Sequence, residues 1–333
     1  MVRRAERTMR PEPAAGPDAE AGTDVLVIGG GPAGCAAALA ARRAGLGVIL
    51  IEAERQPRPA PGETLHPGVE PILSRLGVWR EVSAAGFHRH RGIWKDLDGR
   101  RSFHAYGVDE HGPWWGLQAD RQRLHGLLLD AVGDAGGDVR RPVFARTVIQ
   151  EASRVVGVLA SGRTIRARWV LDATGRRAWL ARRLALEEER YSPPLRIRFG
   201  WHGREPAELE GQPLFRQHAQ GWDWQAPLGD GRSAWATLRF ARSNGADYSW
   251  RICQAPAGPG YFVLGDAAAL LDPAASNGVL RAMMSGMLAV DLLRGVLDGK
   301  IDEQLASASY RRWIEDVFHH HARELRRRYS WKD

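Results

Sequence analysis

The apolar positions near the start of the chain fall into two short runs separated by a helical stretch. Residues 24–28 (DVLVI) and 48–51 (VILI) are continuous and rich in β-branched side chains, which is typical of strands buried on both faces. The alanine-rich residues 33–44 between them predict a helix. The order strand, helix, strand predicts a parallel βαβ unit at the start of an α/β fold.

Glycines at the junction of the first strand and the helix predict a dinucleotide site. Gly29, Gly31 and Gly34 match G-x-G-x-x-G, whose glycines allow the tight turn, the approach of a pyrophosphate and close helix packing. Pro32 stands near the helix start, where its missing N–H costs nothing and the free N–H groups suit an anion. Glu52 follows Gly29 by 23 residues. This is close to the spacing of roughly 20 residues for an acid that binds a ribose 2′-hydroxyl.

The remaining apolar patterns indicate helices on either side of a block of strands. Helical periodicity occurs over residues 67–82, 119–135, 275–297 and 309–329. Alternating or short apolar runs typical of strands occur over residues 92–118, 153–175, 194–255 and 261–265. We therefore expect a discontinuous α/β domain, bracketing strands that contribute substrate contacts.

Composition narrows the class of protein. Of the 333 residues, 44% are hydrophobic, which is ordinary for a globular core. The net charge of +8 comes from arginine spread along the chain, with lysine only at Lys95, Lys300 and Lys332. Such replacement of lysine is typical of genomic base bias, and the chain contains no nucleic-acid-binding motif. We expect no nucleic-acid partner.

The first residues of the chain and its cysteines indicate the cellular compartment in which we expect the protein. Residues 1–22 are rich in proline, alanine and charge and lack a hydrophobic signal segment, so they predict a disordered tail. The apolar runs are too short and interrupted to span a bilayer, and we expect no stable membrane association. Cys35 and Cys253 are the only cysteines and form no zinc or disulfide framework. A reducing cytoplasm is the expected location.

Two groups of ring-bearing residues have alternative interpretations. His319, His320 and His321 point about 100° apart on a helix, so they do not converge on one ion and we predict no metal site. Trp222 and Trp224 alternate on a predicted strand and share one face. They line an aromatic substrate pocket or pack against the cofactor domain.

Three motifs resemble those of the FAD-dependent monooxygenases and halogenases with the para-hydroxybenzoate hydroxylase fold. They are GGGPAG at 29–34, WVLDATG at 169–175 and YFVLGDAAALLDP at 261–273. The resemblance covers about residues 22–330 and implies FAD as the cofactor. The residues that it assigns to FAD are Gly29, Gly31, Pro32, Ala33, Gly34, Glu52, Arg121, Ala173, Gly265, Asp266, Asn277 and Gly278.

Two further segments resemble the tryptophan-halogenase-like branch of that superfamily. Gly62, Glu63 and Pro67 match its G-E-x-x-x-P motif. GWDWQAPL at 221–228 matches its W-x-W-x-I-P signature, except that Ala226 replaces isoleucine. The sequence also resembles flavoproteins of this branch that modify peptidyl residues during maturation of quinone-cofactor enzymes.

The resemblance and the residue chemistry name three candidate catalytic residues. Halogenases carry a lysine on a strand after the G-E helix that handles hypohalous acid, and Lys95 lies at about that place. The alternative for Lys95 is a solvent-facing strand residue. Glu63 and His66 are expected near the flavin ring, where a histidine can exchange a proton near neutral pH. Their alternatives are a helix cap and a surface histidine.

The resemblance also implies a domain organisation. The fold is expected to be α/β, with a discontinuous Rossmann-type FAD-binding domain and an inserted β-rich substrate domain. The FAD-binding domain is expected to comprise residues 23–88, 119–180 and 258–333, and the substrate domain residues 89–118 and 181–257.

The function expected first is an FAD-dependent monooxygenase. It would hydroxylate an indole or phenol, including peptidyl tryptophan, through a flavin C4a-hydroperoxide. The alternatives are a flavin-dependent halogenase using Lys95, an FAD-dependent reductase or dehydrogenase of the same fold, and a non-catalytic flavin-binding protein. The expected partners are a small aromatic or peptide substrate and, as electron source, NAD(P)H or a separate flavin reductase. No second complete glycine fingerprint indicates a nicotinamide domain.

Overall fold

A computed structural model describes residues 22–57, 62–240, 244–275 and 277–329. Residues 1–21 of the predicted tail lie outside the described residues. The helices are α1 Pro32–Arg43, α2 Val69–Arg75, α3 Trp79–Ala84, α4 Arg121–Asp134, α5 Trp179–Arg183, α6 Gly278–Leu297 and α7 Glu303–Tyr329. Short 3-10 turns comprise Gly175–Arg177, Ala207–Leu209, Gly265–Ala267 and Pro273–Ala275.

The strands are short and numerous. In chain order they are β1 Thr23–Ile28, β2 Val48–Ile51, β3 Glu63–Leu65, β4 His88–His90, β5 Gly92–Leu97, β6 Arg100–Ala105, β7 Val108–Asp109, β8 Gly112–Pro113, β9 Gly116–Ala119, β10 Asp138–Arg140, β11 Ala145–Glu151, β12 Arg154–Ala160, β13 Arg163–Asp172, β14 Glu188–Arg190, β15 Arg196–His202, β16 Leu214–His218, β17 Gly221–Pro227, β18 Ser233–Arg239, β19 Ala246–Asp247, β20 Arg251–Cys253, β21 Ala257–Gly258, β22 Tyr261–Val263 and β23 Ala269–Leu270.

Parallel strands with aligned carboxyl ends bring the three sequence motifs together. The order β10-β2-β1-β13 continues into β12 and β11, and β22 also pairs with β13. Ile28 pairs with Ile51 and Asp172, and Asp172 pairs with Val263, so β1, β2, β13 and β22 end at one level. The glycine turn after β1, the segment after β13 and the segment after β22 therefore begin side by side. This edge is where α/β sheets bind ligands.

Small residues let two helices pack closely over this sheet. A Cβ at Gly286 of α6 would overlap the carbonyl oxygen of Ala33 and lie 3.0 Å from the backbone nitrogen of Ala37 in α1. The buried alanines of α1 complete the contact. The alanine richness that predicts the first helix thus also determines how closely α6, the helix after the third motif, can approach the glycine turn.

A seven-stranded sheet joins two distant parts of the chain. Its order is β19-β15-β18-β17-β16-β5-β6, with β5 and β16 parallel and the other neighbours antiparallel. One face carries Trp222, Leu238 and Ile197, which are buried in the core. Strands from the two segments predicted to form the substrate domain therefore share one sheet, while the domain boundaries themselves stay a prediction.

Local sequence explains where the helices differ from the expected spans. The apolar stretch 67–82 forms two short helices, α2 and α3, because Gly77 adopts a φ of +70° between them. The third-motif helix begins at Gly278, and the basic C-terminal helix α7 extends from Glu303 to Tyr329. α7 packs through Tyr310, Phe318 and other apolar residues, all buried. In the described ranges, no helix combines the length and apolar character that crossing a membrane requires.

Candidate active site

The glycine turn has the shape that a pyrophosphate requires. Gly29 has a φ of +106°, and a Cβ there would lie 2.5 Å from the carbonyl oxygen of Ala173. A Cβ at Gly34 would overlap the carbonyl oxygen of Gly29. At Gly31 a Cβ would meet nothing within 4 Å. Gly29 and Gly34 are thus required by the protein itself, whereas the space at Gly31 is left open for a ligand.

Two helix starts at this edge lack the usual stabilising side chains. Gly31, before α1, has no side chain, and the side chain of Asn277, before α6, does not cap its helix. Neither helix has an acidic residue in its first turn. By contrast, the Asp120 carboxylate accepts from the backbone N–H of Arg123 at 2.7 Å and caps α4. The exposed N–H groups of α1 and α6 therefore suit negative charge on a ligand.

Glu52 is held at the end of β2 by the glycine turn. Its Oε2 accepts from the backbone N–H of Gly30 at 2.7 Å, and its Oε1 accepts from that of Glu54 at 2.9 Å. Each carboxylate oxygen can accept further hydrogen bonds. The carboxylate is therefore oriented next to the turn, in the arrangement expected for binding ribose hydroxyls.

Asp266 lies among arginines at the same edge. Burial raises the pKa of Asp266, opposed chiefly by the positive charges of Arg281 and Arg121. Arg121, the first residue of α4, places its Nε 3.3 Å from Oε1 of Glu63. Burial also raises the pKa of Glu63, and Arg121 opposes this rise. Glu63 is thus an ion-pair partner on strand β3 and caps no helix.

Besides Arg281, two further residues that the sequence did not indicate, Arg176 and Tyr248, complete this group. Arg121 lies within hydrogen-bonding reach of the Tyr248 hydroxyl, and the guanidinium of Arg176 lies 4.6 Å from the centre of the Tyr248 ring. Arg176 follows the second motif directly, which is the one signal that could have identified it. Cations around Asp266 and Glu63 outnumber these two acids, which fits the negative pyrophosphate of FAD. With the open space at Gly31, the residues present therefore fit FAD.

Lys95 lies in a row of aromatic side chains on the core-facing side of the seven-stranded sheet. On β5 it pairs with Phe215 of β16, and Phe215 pairs with Trp224 of β17. Paired residues of neighbouring strands share a face. Burial lowers the pKa of Lys95, and the charge of Arg328 lowers it further. The full row across the sheet is Ser102, Lys95, Phe215, Trp224, Ala236 and Phe199.

The two predicted substrate tryptophans share this face but have different surroundings. Trp222 is 1% exposed, and its indole N–H donates to the buried carboxylate of Asp272 at 3.2 Å. Trp224 is half-buried beside Phe215. Trp222 is therefore packed against the cofactor-binding part of the molecule, whereas Trp224 keeps an accessible surface.

His66 follows strand β3 and is held by a local contact. Its Nδ1 accepts from the backbone N–H of Gly68 at 3.0 Å, so the neutral ring carries its proton on Nε2. Its ring meets the edge of Tyr106 at 5.3 Å, and burial lowers its pKa. The charges that act on Glu63 are those of Arg121 and Asp266, while Arg328 acts on Lys95. Glu63 and Lys95 thus belong to two separate electrostatic groups, while burial lowers the pKa of His66.

The C-terminal histidines diverge only in part, because His319 turns away while the rings of His320 and His321 lie 5.1 Å apart, contrary to the expectation that none of them converge. The ring of His319 contacts Tyr191 at 5.2 Å. His320 and His321 both approach Glu324, at 3.5 and 3.3 Å, and in the described part of the chain these three residues form the one His, Cys, Asp or Glu group compact enough to hold an ion. The absence of a metal site stays a prediction.

Comparison with known proteins agrees with this geometry. A family model described as an FAD binding domain matches residues 22–203. The chain is 28% identical to a tryptophan 2-halogenase of Chondromyces crocatus, over 89% of this chain and 66% of the halogenase. It is also 28% identical to a menaquinone reductase of Mycolicibacterium smegmatis, over 83% of this chain and 78% of the reductase.

A solved structure has the same fold. The myxobacterial chondrochloren halogenase CndH superposes with a TM-score of 0.80 at 25% identity, covering 91% of this chain and 81% of that one. The predicted α/β fold, the FAD cofactor and the resemblance to FAD-dependent halogenases and monooxygenases are confirmed. The chain belongs to the FAD-binding domain family that its motifs indicate, and FAD is its cofactor.

Proposed function

We propose that this protein is a flavin-dependent halogenase that acts on an electron-rich aromatic substrate and uses Lys95. The observation that carries the proposal is the row on the core-facing side of the sheet in which Lys95 stands next to Phe215, with Trp224 on the far side of Phe215. An amine beside an aromatic surface can contact an electrophilic halogen species while a flat substrate binds to the same surface. The choice supersedes hydroxylation, our first expectation, because the sheet register gives Lys95 aromatic neighbours on its face.

FAD, when reduced, supplies the oxygen-activating chemistry, and the chain supplies binding, orientation and charge. Gly31 and the start of α1 would receive the pyrophosphate, and Glu52 the ribose. Arg121 and Arg281 balance the buried carboxylate of Asp266. The uncapped start of α6 would stabilise negative charge on the ring system.

Lys95 is the residue that separates halogenation from the other activities. A lysine whose pKa is lowered by burial and by Arg328 releases its proton more readily than a solvated lysine. The free amine is the form that can carry or orient an electrophilic halogen. Lys300, in contrast, places its Nζ 3.1 Å from the Asp298 carboxylate on the surface and has no aromatic row beside it.

The aromatic surface favours a flat substrate, which can approach it from the exposed edge of the sheet. Phe199 and Trp201 are each 42% exposed and lie on the same face as Trp224, because their partners Ala236 and Ala234 share that face. Aromatic rings beside a substrate ring bind it by offset or edge contacts. An indole or phenol, free or within a peptide, fits this surface, in keeping with the tryptophan halogenase among the relatives.

Hydroxylation of the same substrate is the second candidate. Two departures from the halogenase pattern favour it, namely Ala226 in place of isoleucine and the sequence AASNGV at 274–279. Glu63 and His66 would then carry the proton transfers, since burial raises the pKa of Glu63 and lowers that of His66. The menaquinone reductase among the relatives keeps a reductase open as a third candidate.

A turnover assay with and without halide distinguishes these activities. Purified protein loaded with FAD receives a flavin reductase, NADH, O₂, bromide and tryptophan or tryptophan-containing peptides, with product read by mass spectrometry. Halogenation predicts a brominated product that requires bromide and the separate reductase. An oxygenated product that forms equally without halide would reject Lys95-dependent halogenation and support hydroxylation. Anaerobic reduction of a quinone or isoprenoid, with no aromatic product in air, would support the reductase.

A further inference from the structure

A buried carboxylate joins three distant parts of the chain. Asp272 is fully buried, and its Oδ1 accepts from the indole N–H of Trp222 at 3.2 Å and from the backbone N–H of Ala274 at 2.8 Å. Its Oδ2 accepts from the hydroxyl of Tyr329 at 2.7 Å. The donors belong to the seven-stranded sheet, to the segment before α6 and to the last turn of α7.

Arg328 makes a second set of contacts between the same three parts. Its guanidinium donates to the carbonyl oxygen of Ala274 at 2.6 Å and lies 5.5 Å from the centre of the Phe215 ring. Its own carbonyl oxygen accepts from Nε2 of Gln217 at 2.8 Å. Phe215 is the neighbour of Lys95 in the aromatic row. The end of α7 is thus fastened both to segment 272–275 and to the sheet that carries Lys95.

We propose that the last turn of α7, through Tyr329 and Arg328, positions segment 272–275 against the sheet that carries Lys95. The C-terminal helix then contributes to the geometry of the active site. This proposal rests on the proposed function in one respect, namely that Lys95 takes part in the reaction. The expected effect on FAD binding is the same whichever reaction the protein catalyses.

The chemistry of the junction explains why it would be sensitive. A buried carboxylate that loses one donor keeps the full cost of its desolvation, so the remaining groups must shift to compensate. Burial raises the pKa of Asp272, and the hydrogen bonds from Ala274, Tyr329 and Trp222 oppose that rise. Segment 272–275 stands just before α6, whose uncapped start would receive the flavin under the proposed function. A shift of the segment would therefore be transmitted to the flavin contacts.

The charged groups around Lys95 come from two elements. Arg328 faces it from α7 and lowers its pKa, after burial. His104 lies on the neighbouring strand β6, where burial and the Lys95 charge lower the pKa of His104. Arg328 is therefore the permanent positive charge that α7 presents to Lys95.

The first test compares two tyrosines that lose equivalent groups. Tyr329→Phe removes the hydroxyl at Asp272. The control Tyr261→Phe removes the hydroxyl of a buried tyrosine at the start of β22, which donates to the carbonyl oxygen of Ala255 at 3.3 Å. We expect Tyr329→Phe to weaken FAD binding about 10-fold and to shift the visible spectrum of bound flavin, since hydrogen bonds to buried charge are among the stronger ones. Tyr261→Phe should keep the wild-type dissociation constant within about 2-fold.

The second test uses the scarcity of lysine and needs no cofactor. Reductive ¹³C-methylation gives NMR signals only from Lys95, Lys300, Lys332 and the chain's amino terminus. In the FAD-free protein, Lys95 should titrate below the usual range of a lysine, because burial and the charge of Arg328 lower its pKa. Arg328→Gln should move the Lys95 titration to higher pH, because the positive charge that lowers the pKa of Lys95 is removed. Arg327→Gln, which removes the neighbouring charge on the same exposed turn, should leave the Lys95 titration unchanged.

The outcomes separate this proposal from the proposed function. Equal FAD affinity and flavin spectra for Tyr329→Phe and Tyr261→Phe, or a Lys95 titration unmoved by Arg328→Gln, would overturn the positioning role. Loss of FAD affinity in Tyr329→Phe while wild-type protein forms no halogenated product would keep the positioning role and reject halogenation. Folded protein is verified for each variant by circular dichroism before FAD is added.

Discussion

Lys95 and Trp224 lie on either side of Phe215 in one cross-strand row, although β5 and β17 come from separate parts of the chain. The parallel pairing of β5 with β16 fixes this relationship, because a shift by one residue would turn every side chain of β5 to the other face. A lysine identified by resemblance and a tryptophan identified by alternation are thereby joined on one surface. This arrangement supports the proposal that both residues belong to a single substrate site.

The two tryptophans of β17 should respond differently to substitution. Trp224→Leu removes an aromatic ring from the accessible row and should raise KM for the aromatic substrate about 3- to 10-fold, with little change in Tm. Trp222→Phe removes the N–H donor of buried Asp272 and should cost about 1–3 kcal/mol of unfolding free energy, with KM nearly unchanged. Steady-state kinetics and thermal denaturation measure the two effects. The reverse pattern would show that Trp222 is the substrate contact.

The glycines of the turn should separate folding from cofactor binding. Gly34→Ala forces a Cβ onto the carbonyl oxygen of Gly29 and should destabilise even the FAD-free protein, by about 1–3 kcal/mol. Gly31→Ala has open space around it and should leave the FAD-free protein nearly as stable as wild type. It should nevertheless weaken FAD binding about 10-fold or more, since the added methyl occupies the pyrophosphate position. Urea denaturation without FAD and fluorescence titration with FAD test the contrast. Equal FAD affinity for Gly31→Ala and wild type would contradict the placement of the pyrophosphate.

His90 should make stability depend on pH between 6.5 and 4. The ring is fully buried, its Nδ1–H donates to the carbonyl oxygen of Gly92 at 3.1 Å, and burial lowers its pKa to about 4. Its contribution to stability is complete above the unfolded pKa near 6.5 and is lost as pH falls through 4, because the unfolded state binds the proton more readily. The expected loss is about 3 kcal/mol by pH 4, at about 1.4 kcal/mol per pKa unit.

The variant His90→Asn isolates this effect from the other titrating groups. Its side-chain amide can donate to Gly92 as Nδ1 does, but it does not titrate. The difference in unfolding free energy between variant and wild type, measured by urea denaturation, should change across pH 6.5 to 4 in favour of the variant. A difference that stays constant over this range would mean that His90 is protonated equally in both states.

Much of the cofactor site was predictable from the sequence, because its residues stand directly after strands. The turn at Gly29, the segment at Ala173 and the pair Gly265–Asp266 each follow an apolar run, and parallel strands align their carboxyl ends. Tyr248 and Arg281 carry no such signal, since their roles depend on how distant segments meet. Asp272 precedes Pro273 in the third motif, but only the fold brings the indole of Trp222 and the hydroxyl of Tyr329 to it.

The division of the apolar stretch 67–82 into two helices and the register of the seven-stranded sheet were also beyond prediction. The first depends on the left-handed conformation of Gly77, a position where the amphipathic pattern continues. The second depends on the pairing of β5 with a strand more than a hundred residues away. Alternation correctly indicated that Trp222 and Trp224 share a face, but it could not show which of them the core would bury.

The central claim is that Lys95 is the halogenating residue. It is tested most directly by measuring how much of the NADH consumed by Lys95→Met yields brominated product. With FAD, a flavin reductase, NADH, O₂ and bromide, wild-type protein should convert part of the NADH consumed into brominated aromatic product. In Lys95→Met, product should fall at least about 100-fold, the usual effect of removing a catalytic side chain, while NADH oxidation and hydrogen peroxide formation continue. The matched control Lys300→Met should behave as wild type, since the Lys300 ammonium pairs with the carboxylate of Asp298 on the surface. Brominated product that persists in Lys95→Met at the wild-type ratio to NADH would contradict the assignment of Lys95 as the halogenating residue.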